Sequence, residues 1–457
     1  MKKYCFAFVF LFSYFGISQL IVGTFSDYKN QEITLKAFDG FDATTIATTS
    51  TDVAGNFTLQ FPDVTKGMGY LSTLDGKSYF VILNDQHVVL EGTSFDNPAA
   101  VKVIKGEQNK AFVEYATHQP KREQVLSAWD YLFKNYTTDP LFKSKTKPTT
   151  AIQTEINRLD QEEQDFLQNL PKDSFVKWFL PVRKLVSNVS VIAQYRTSEI
   201  PATLQSLRNI DYSDERLYKS GLFKEAIDNH LWFIENSSGA LDLVFKDLNT
   251  SIDIILEQLK GQDEKYNTVA NYMFDLLEKR SLFTSAEYLS NSLLKSDECD
   301  CLNDLTKKKF EKYRKMATGA TAPDIVFTEY TYLPQGVFAE KLSDLKSNYY
   351  LVVFAAGWCP HCVEAMPKIK ELYPNLKEKS IEVVLVSLDE NAKDFAKYAA
   401  PLPFVSTTDY KKWDGVAAVD YQIYSTPTYY MLDNKLEILM KFNSVEHIKS
   451  WVEYKIK

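Results

Sequence analysis

Ile33, Leu35 and Ala37 alternate with Thr34 and Lys36, the two-residue period of a strand with one buried face. Phe57, Leu59 and Phe61 repeat that period after the turn-forming run Asp52, Val53, Ala54, Gly55, Asn56. Asp75 and Gly76 separate two apolar runs, 70–74 and 79–83, as a hairpin turn would, and 87–90 offers a further strand. Residues 20–105 are therefore predicted to form a small antiparallel β-sandwich, and no catalytic constellation falls within it.

The period then changes. Ile152, Ile156, Leu159, Phe166, Leu167 and Leu170 fall largely on one helical face, and Pro171 ends that run. Ile252, Ile255, Leu256 and Leu259 repeat the spacing before Gly261, as do Tyr272, Met273, Leu276 and Leu277. Residues 106–316 are predicted to be an all-α middle domain without a fixed-period repeat. The small residues of 317–322, Gly319 among them, suit a linker.

From there to residue 457 strands and helices alternate. The apolar run 349–354 suits a strand buried on both faces. A helix follows from Cys359 to about residue 376, with Val363, Met366, Ile369 and Leu372 on one side. A second buried strand is expected at 381–388, helices at 394–399 and 411–419, a hairpin about Asp433 and Asn434, and a closing helix at 445–454. This pattern describes a mixed sheet covered on both faces.

A chain of 457 residues exceeds one ordinary core, so several domains are expected. The apolar and charged fractions, 45% and 25%, are those of a soluble globular protein. A net charge of −8 argues against nucleic acid and anionic membrane surfaces as partners. Lys2 and Lys3 precede an apolar run at 5–17, followed by Ser18 and Gln19. That is the layout of a secretory signal over 1–19, too short for a comfortable permanent anchor. Cys5 starts the run rather than following it, so no lipid attachment is expected. Export, most simply to the periplasm, is the expectation, with no stable membrane insertion once the signal is removed.

Four cysteines remain: Cys299, Cys301, Cys359 and Cys362. Disulfide exchange needs an attacking thiolate, a second thiol to resolve the mixed disulfide, and access. A Cys-x-x-Cys pair at a helix start supplies all three, because the unpaired N–H groups and the positive dipole end favour a thiolate at the first sulfur. Here the pair follows a buried strand through Ala355, Ala356, Gly357 and Trp358 and opens an amphipathic helix. A zinc ribbon would need a second matching pair, and Cys299 and Cys301 have the wrong spacing. A c-type haem site would need His in place of Val363. A structural disulfide remains an alternative.

The segment Phe354-Ala-Ala-Gly-Trp-Cys-Pro-His-Cys362 resembles the active-site segment of the thioredoxin superfamily. Residues 318–457 are more closely similar to the exported thioredoxin-like reductases of the TlpA and ResA type. Gly319 with Ala322, Pro323 and Asp324 resembles that group's domain opening, and 342–345 its segment before the central strand. Met366 and Pro367 resemble its helix-kinking position, and 425–428 its cis-proline loop. A β-domain and helical region in front resemble the layout of multi-domain Bacteroidetes members. The resemblance implies that Cys359 attacks, Cys362 resolves and Trp358 shields the pair. It also implies that Thr426 and Pro427 face the sulfurs and offer backbone groups to an extended substrate. The partners it implies are protein thiols or disulfides and a redox partner protein, with no cofactor beyond the Cys359–Cys362 couple.

Two positions depart from that group. Val353 stands where thioredoxins carry a buried Asp, and Ala365 where ResA-like proteins carry a Glu. Glu364, one position earlier, points about 100° away on a helix, so no buried carboxylate is evident beside Cys362. Pro360 and His361 resemble the dipeptide of DsbA-type oxidases. A partly positive imidazole there would favour the reduced form, although about 150 mV, roughly 7 kcal/mol, separates a thioredoxin-like from a DsbA-like poise. Cys299 and Cys301 lie among acidic residues, which raise thiol pKa. A local disulfide is the first reading, and a relay pair the second.

Overall fold

The computed structural model describes residues 18–63, 65–237, 239–295 and 301–456. The chain divides into two compact units, Met1–Gly239 and Ala240–Lys457. The division falls inside the stretch 106–316 that helical spacing groups together, so each unit takes some of its helices. Most of the expected signal, 1–17, lies outside the described residues, and the first strand already begins at Ser18.

In the first unit the strands are β1 (Ser18–Phe25), β2 (Glu32–Asp39), β3 (Asp42–Ser50), β4 (Asn56–Pro62), β5 (Met68–Thr73), β6 (Ser78–Ile82), β7 (His87–Gly92) and β8 (Lys102–Lys105). They form two sheets, ordered β4-β1-β7-β8 and β3-β2-β5-β6. Ile21, Phe25, Leu59 and Leu90 of one sheet share a buried cluster with Ile33, Leu35, Leu71 and Val81 of the other. The alternating positions read from the sequence are thus the inner faces of a sandwich. It is not purely antiparallel, because β1 pairs parallel with β7 while pairing antiparallel with β4. A parallel pair needs a long connection, and the intervening chain supplies it by building the whole second sheet.

Seven helices follow among the described residues of this unit: α1 (Glu107–Thr138), α2 (Thr146–Asn169), α3 (Phe175–Ser187), α4 (Val189–Tyr195), α5 (Ile200–Arg208), α6 (Glu215–Tyr218) and α7 (Phe223–Ser237). Asn109, in the first turn of α1, fastens helix to sheet. Its Oδ1 accepts from the Ile82 N–H at 2.8 Å, and its Nδ2 donates to the Ile82 carbonyl at 2.9 Å.

The second unit opens with α8 (Leu241–Leu259), α9 (Asp263–Lys279), α10 (Phe283–Lys295) and α11 (Asp304–Arg314). Then come β9 (Tyr349–Ala355), α12 (Pro360–Glu378), β10 (Ile381–Ser387), α13 (Ala392–Ala399), β11 (Val405–Thr407), α14 (Val416–Asp420), β12 (Thr428–Asp433), β13 (Ile438–Phe442) and α15 (Val445–Lys455). The sheet order is β11-β10-β9-β12-β13, with β9, β10 and β11 parallel and β12 and β13 antiparallel. Every residue of β10 is buried, as in a strand covered on both faces, and its one charged residue, Glu382, is paired with Lys377 and the Tyr373 hydroxyl. Leu351, Val353 and Ala355 face a cluster with α12 and α15, while Tyr350, Val352 and Phe354 face the other layer. Burying each such aliphatic side chain contributes roughly 1.5–3 kcal/mol.

The small-residue run 317–322 is not a free linker. The Gly319 N–H donates to the Ile438 carbonyl, the Ile438 N–H to Ala320, and the Ala322 N–H to Leu436, each at 2.8 Å. Further on, Tyr332 exchanges both backbone hydrogen bonds with Ser406 of β11, at 2.8 and 3.1 Å. One run of chain ahead of β9 therefore edges both outer strands of the sheet.

Candidate active site

β9 delivers the chain to Ala355 and Ala356, both fully buried, and a tight turn through Gly357 and Trp358 brings it to the start of α12. Cys359 is the N-cap of that helix, with extended backbone (φ −89°, ψ 115°), and Pro360 takes the first helical position, where no N–H is needed. The Cys359 sulfur accepts from the Cys362 N–H at 3.3 Å, the place a serine or aspartate oxygen holds in ordinary caps. An orphan helix donor thus points at the sulfur.

Cys362 lies one turn inward and is fully buried, packed with Val353 and Met366. Burial pushes its thiol up to about 12, and the hydrogen bond with Cys359 adds to the rise. Neighbouring groups of Ala356 and Thr426 oppose the shift without cancelling it. Both Cys359 and Cys362 are free thiols. Cys359 is only 5% exposed, yet Trp358, Pro360 and His361 around it all face solvent.

The loop before β12 closes over the pair from the other side. The Thr426–Pro427 peptide is cis, and the Cys359 thiol donates to the Thr426 carbonyl at 3.4 Å. The Thr428 hydroxyl ties the loop back to the Ser425 carbonyl at 2.7 Å. Trp358 is 45% exposed; its indole N–H donates to Leu388 at 3.3 Å, and its ring meets Trp413 edge-on at 6.0 Å. The Lys412 ammonium sits 5.2 Å from its centroid. A cavity of about 690 Å³ opens beside it, floored by Met366, Pro367, Tyr398 and Leu402.

Val353 is buried under α12 and Glu364 is exposed, so neither of those positions places a carboxylate near the thiols. A buried carboxylate is nevertheless present. Asp389, just past β10, is fully buried and accepts from the Gly357 N–H at 3.0 and 3.2 Å and from the Ser387 hydroxyl at 2.7 Å. Burial holds its carboxyl above the ordinary range. Tyr398 of α13 donates to the Cys362 carbonyl at 3.2 Å. Its phenol is raised mainly by burial and feels the charges of Cys362, Asp389 and Cys359 together. Neither residue was singled out from sequence, although the end of a buried parallel strand is where such sheets carry their sites.

Cys301 is buried and disulfide-bonded, and Cys299 lies outside the described residues. The Cys301 carbonyl accepts from Asn267 of α9 at 2.6 Å. No group of three or more His, Cys, Asp or Glu side chains among the described residues is placed to hold a metal ion. No helix of the described residues is long and apolar enough to cross a membrane.

A thioredoxin-like family matches residues 347–438. Two thiol-disulfide oxidoreductases ResA of Bacillus cereus strains are similar to the chain. One is 29% identical over 149 residues, covering 32% of this chain and 80% of the relative. The other is 32% identical over 136 residues, covering 29% of this chain and 73% of the relative. A thioredoxin-like protein of Bacteroides caccae aligns over 56% of this chain and 93% of its own, at 17% identity and a TM-score of 0.38.

Proposed function

Because the chain belongs, through its C-terminal domain, to the ResA-like thiol-disulfide oxidoreductases of the thioredoxin fold, we propose that it exchanges disulfides with protein substrates through Cys359 and Cys362. The observation that carries this reading is the Cys359 sulfur held at the mouth of α12, between the Cys362 N–H and the Thr426 carbonyl.

In the reducing direction the Cys359 thiolate attacks a substrate disulfide, and one substrate sulfur leaves as a thiolate. Cys362 then gives up its proton and attacks the Cys359 sulfur, releasing the second substrate thiol. The substrate gains two electrons and the pair becomes a disulfide, which a redox partner protein must reduce again. The reverse sequence oxidises a dithiol. A resolving thiol pushed up to about 12 makes loss of its proton the demanding step at neutral pH. The carbonyl of Thr426 and the loop about Pro427 would offer backbone groups to an extended substrate. Trp358 and the adjoining cavity offer apolar contact, and His361 at the exposed first turn contributes to the poise of the couple. Export to the periplasm, directed by 1–19, completes the proposal, since such exchange serves an oxidising compartment.

Reduction of insulin by the dithiothreitol-primed protein tests this reading. Wild type is expected to turn over, Cys359→Ser to lose at least a hundredfold, and Cys362→Ala to accumulate a mixed disulfide with substrate. Equal turnover in wild type and Cys359→Ser would sink it.

A further inference from the structure

The described molecule holds one buried carboxylate whose partners belong to the active-site turn. Asp389 accepts from Gly357, two residues before Cys359 in sequence and 32 before Asp389 itself. The turn 356–358 has few other ties on this side: its Trp358 indole bonds to Leu388, the residue preceding Asp389. The end of β10 therefore grips the turn at two consecutive residues. The groups that donate to the carboxylate are an N–H and an O–H, the pattern an ionised carboxylate takes. Tyr398 bridges the remaining gap, with its hydroxyl on the Cys362 carbonyl and its ring against Gly357, whose built Cβ would stand 3.3 Å from the Tyr398 Cβ.

We propose that Asp389 is the positioning residue of this exchange site: it holds the Gly357 turn that presents Cys359, and its negative charge at that turn favours the disulfide over the thiolate form. Asp394 of α13 is the other acidic group that acts on Asp389. On the far side of Trp358 the Lys412 ammonium pairs with Glu390 at 2.9 Å and so is partly neutralised. Asp389 makes no contact with substrate and is not itself a catalytic residue.

The inference rests on the exchange reading, and the test separates the two. Asp389→Ala removes both hydrogen bonds and charge, whereas Asp389→Asn keeps an acceptor for the Gly357 N–H and removes only the charge. Insulin turnover is expected to fall at least tenfold in Asp389→Ala and to stay within threefold of wild type in Asp389→Asn. The equilibrium of the Cys359–Cys362 couple with glutathione is expected to move at least threefold toward the dithiol in Asp389→Asn. Wild-type turnover in the Ala variant, or an unmoved glutathione equilibrium in the Asn variant, overturns the proposal. The glutathione equilibrium needs no protein substrate, so it decides the matter even where wild type fails to reduce insulin, which would count against the exchange reading alone. Should Asp389→Ala not fold, judged by circular dichroism, the Asn equilibrium decides.

Discussion

Lys441 of β13 lies 2.9 Å from Glu278 near the end of α9, and both side chains are at least nine-tenths buried. The Tyr313 hydroxyl donates to the other carboxylate oxygen at 2.6 Å, and the Lys441 ammonium sits 3.9 Å from the Phe283 ring centroid. The ion pair therefore joins the helical layer of the second unit to the edge of its sheet. The Ser425 hydroxyl, one residue from Thr426, reaches the Glu278 carbonyl at 3.5 Å. The helices thus touch the loop that covers the thiols.

Removing one partner leaves a charge buried without its counter-ion, which costs about 3–5 kcal/mol. Lys441→Met is expected to destabilise the second unit by that amount, and Glu278→Gln with Lys441→Met by clearly less. Urea unfolding of the four members of this double-mutant cycle measures the coupling. A Lys441→Met variant within about 1 kcal/mol of wild type would show that the pair does not hold the layer.

Cys362 gives the reduced protein a stability that declines in alkali. Its folded thiol is held up at about 12 against an ordinary value of 9.0, so the folded state keeps a proton that the unfolded chain releases first. The contribution is complete below the unfolded value and is lost as pH rises toward the folded one, at up to about 1.4 kcal/mol per pH unit. Urea midpoints of the reduced protein are expected to fall between about pH 9 and 11 with that slope. Cys362→Ala and the oxidised protein lack the titrating thiol and are expected to fall less steeply. Parallel slopes in all three would refute the assignment.

In the first unit His230 of α7 is fully buried, with its Nδ1 3.0 Å from the Tyr212 hydroxyl. Burial holds the imidazole down to about 3 from an ordinary 6.5, so it stays neutral where the unfolded chain would be protonated. Its stabilising effect is present above the unfolded value and is lost as pH falls below it. Between pH 7 and pH 5 the stability of wild type relative to His230→Phe is expected to drop by about 2 kcal/mol. Thermal melting of the two proteins across that range checks it, and a constant difference would mean that His230 does not titrate.

Residues that announce themselves by chemistry or by long periodic runs were legible before any coordinates. The runs that became β9 and β10, and Cys359 and Cys362 after a buried strand, read directly, while Thr426–Pro427 ahead of β12 came through the family resemblance. Asp389 did not, because a single acid after an apolar strand reads as solvated loop. What buries it is a hydrogen bond to a glycine 32 residues away. The parallel pairing of β1 with β7 was equally hidden, since alternation tells which face is buried and not which way the neighbour runs. Helical spacing in 106–316 likewise marks apolar faces without saying what they meet, so the division at Gly239 leaves no trace in it. The register of residues 317–322 against β13 is set by main-chain hydrogen bonds, which no side-chain pattern records.

The strap formed by the chain ahead of β9 has a consequence for association. With Ala320 bonded to Ile438 on one side and Tyr332 to Ser406 on the other, neither border of the five-stranded sheet offers a free row of amides and carbonyls at those positions. Visitors cannot lengthen the sheet there, and two copies cannot zip together along those margins. Growth of the sheet by backbone pairing is thereby blocked at both of those points.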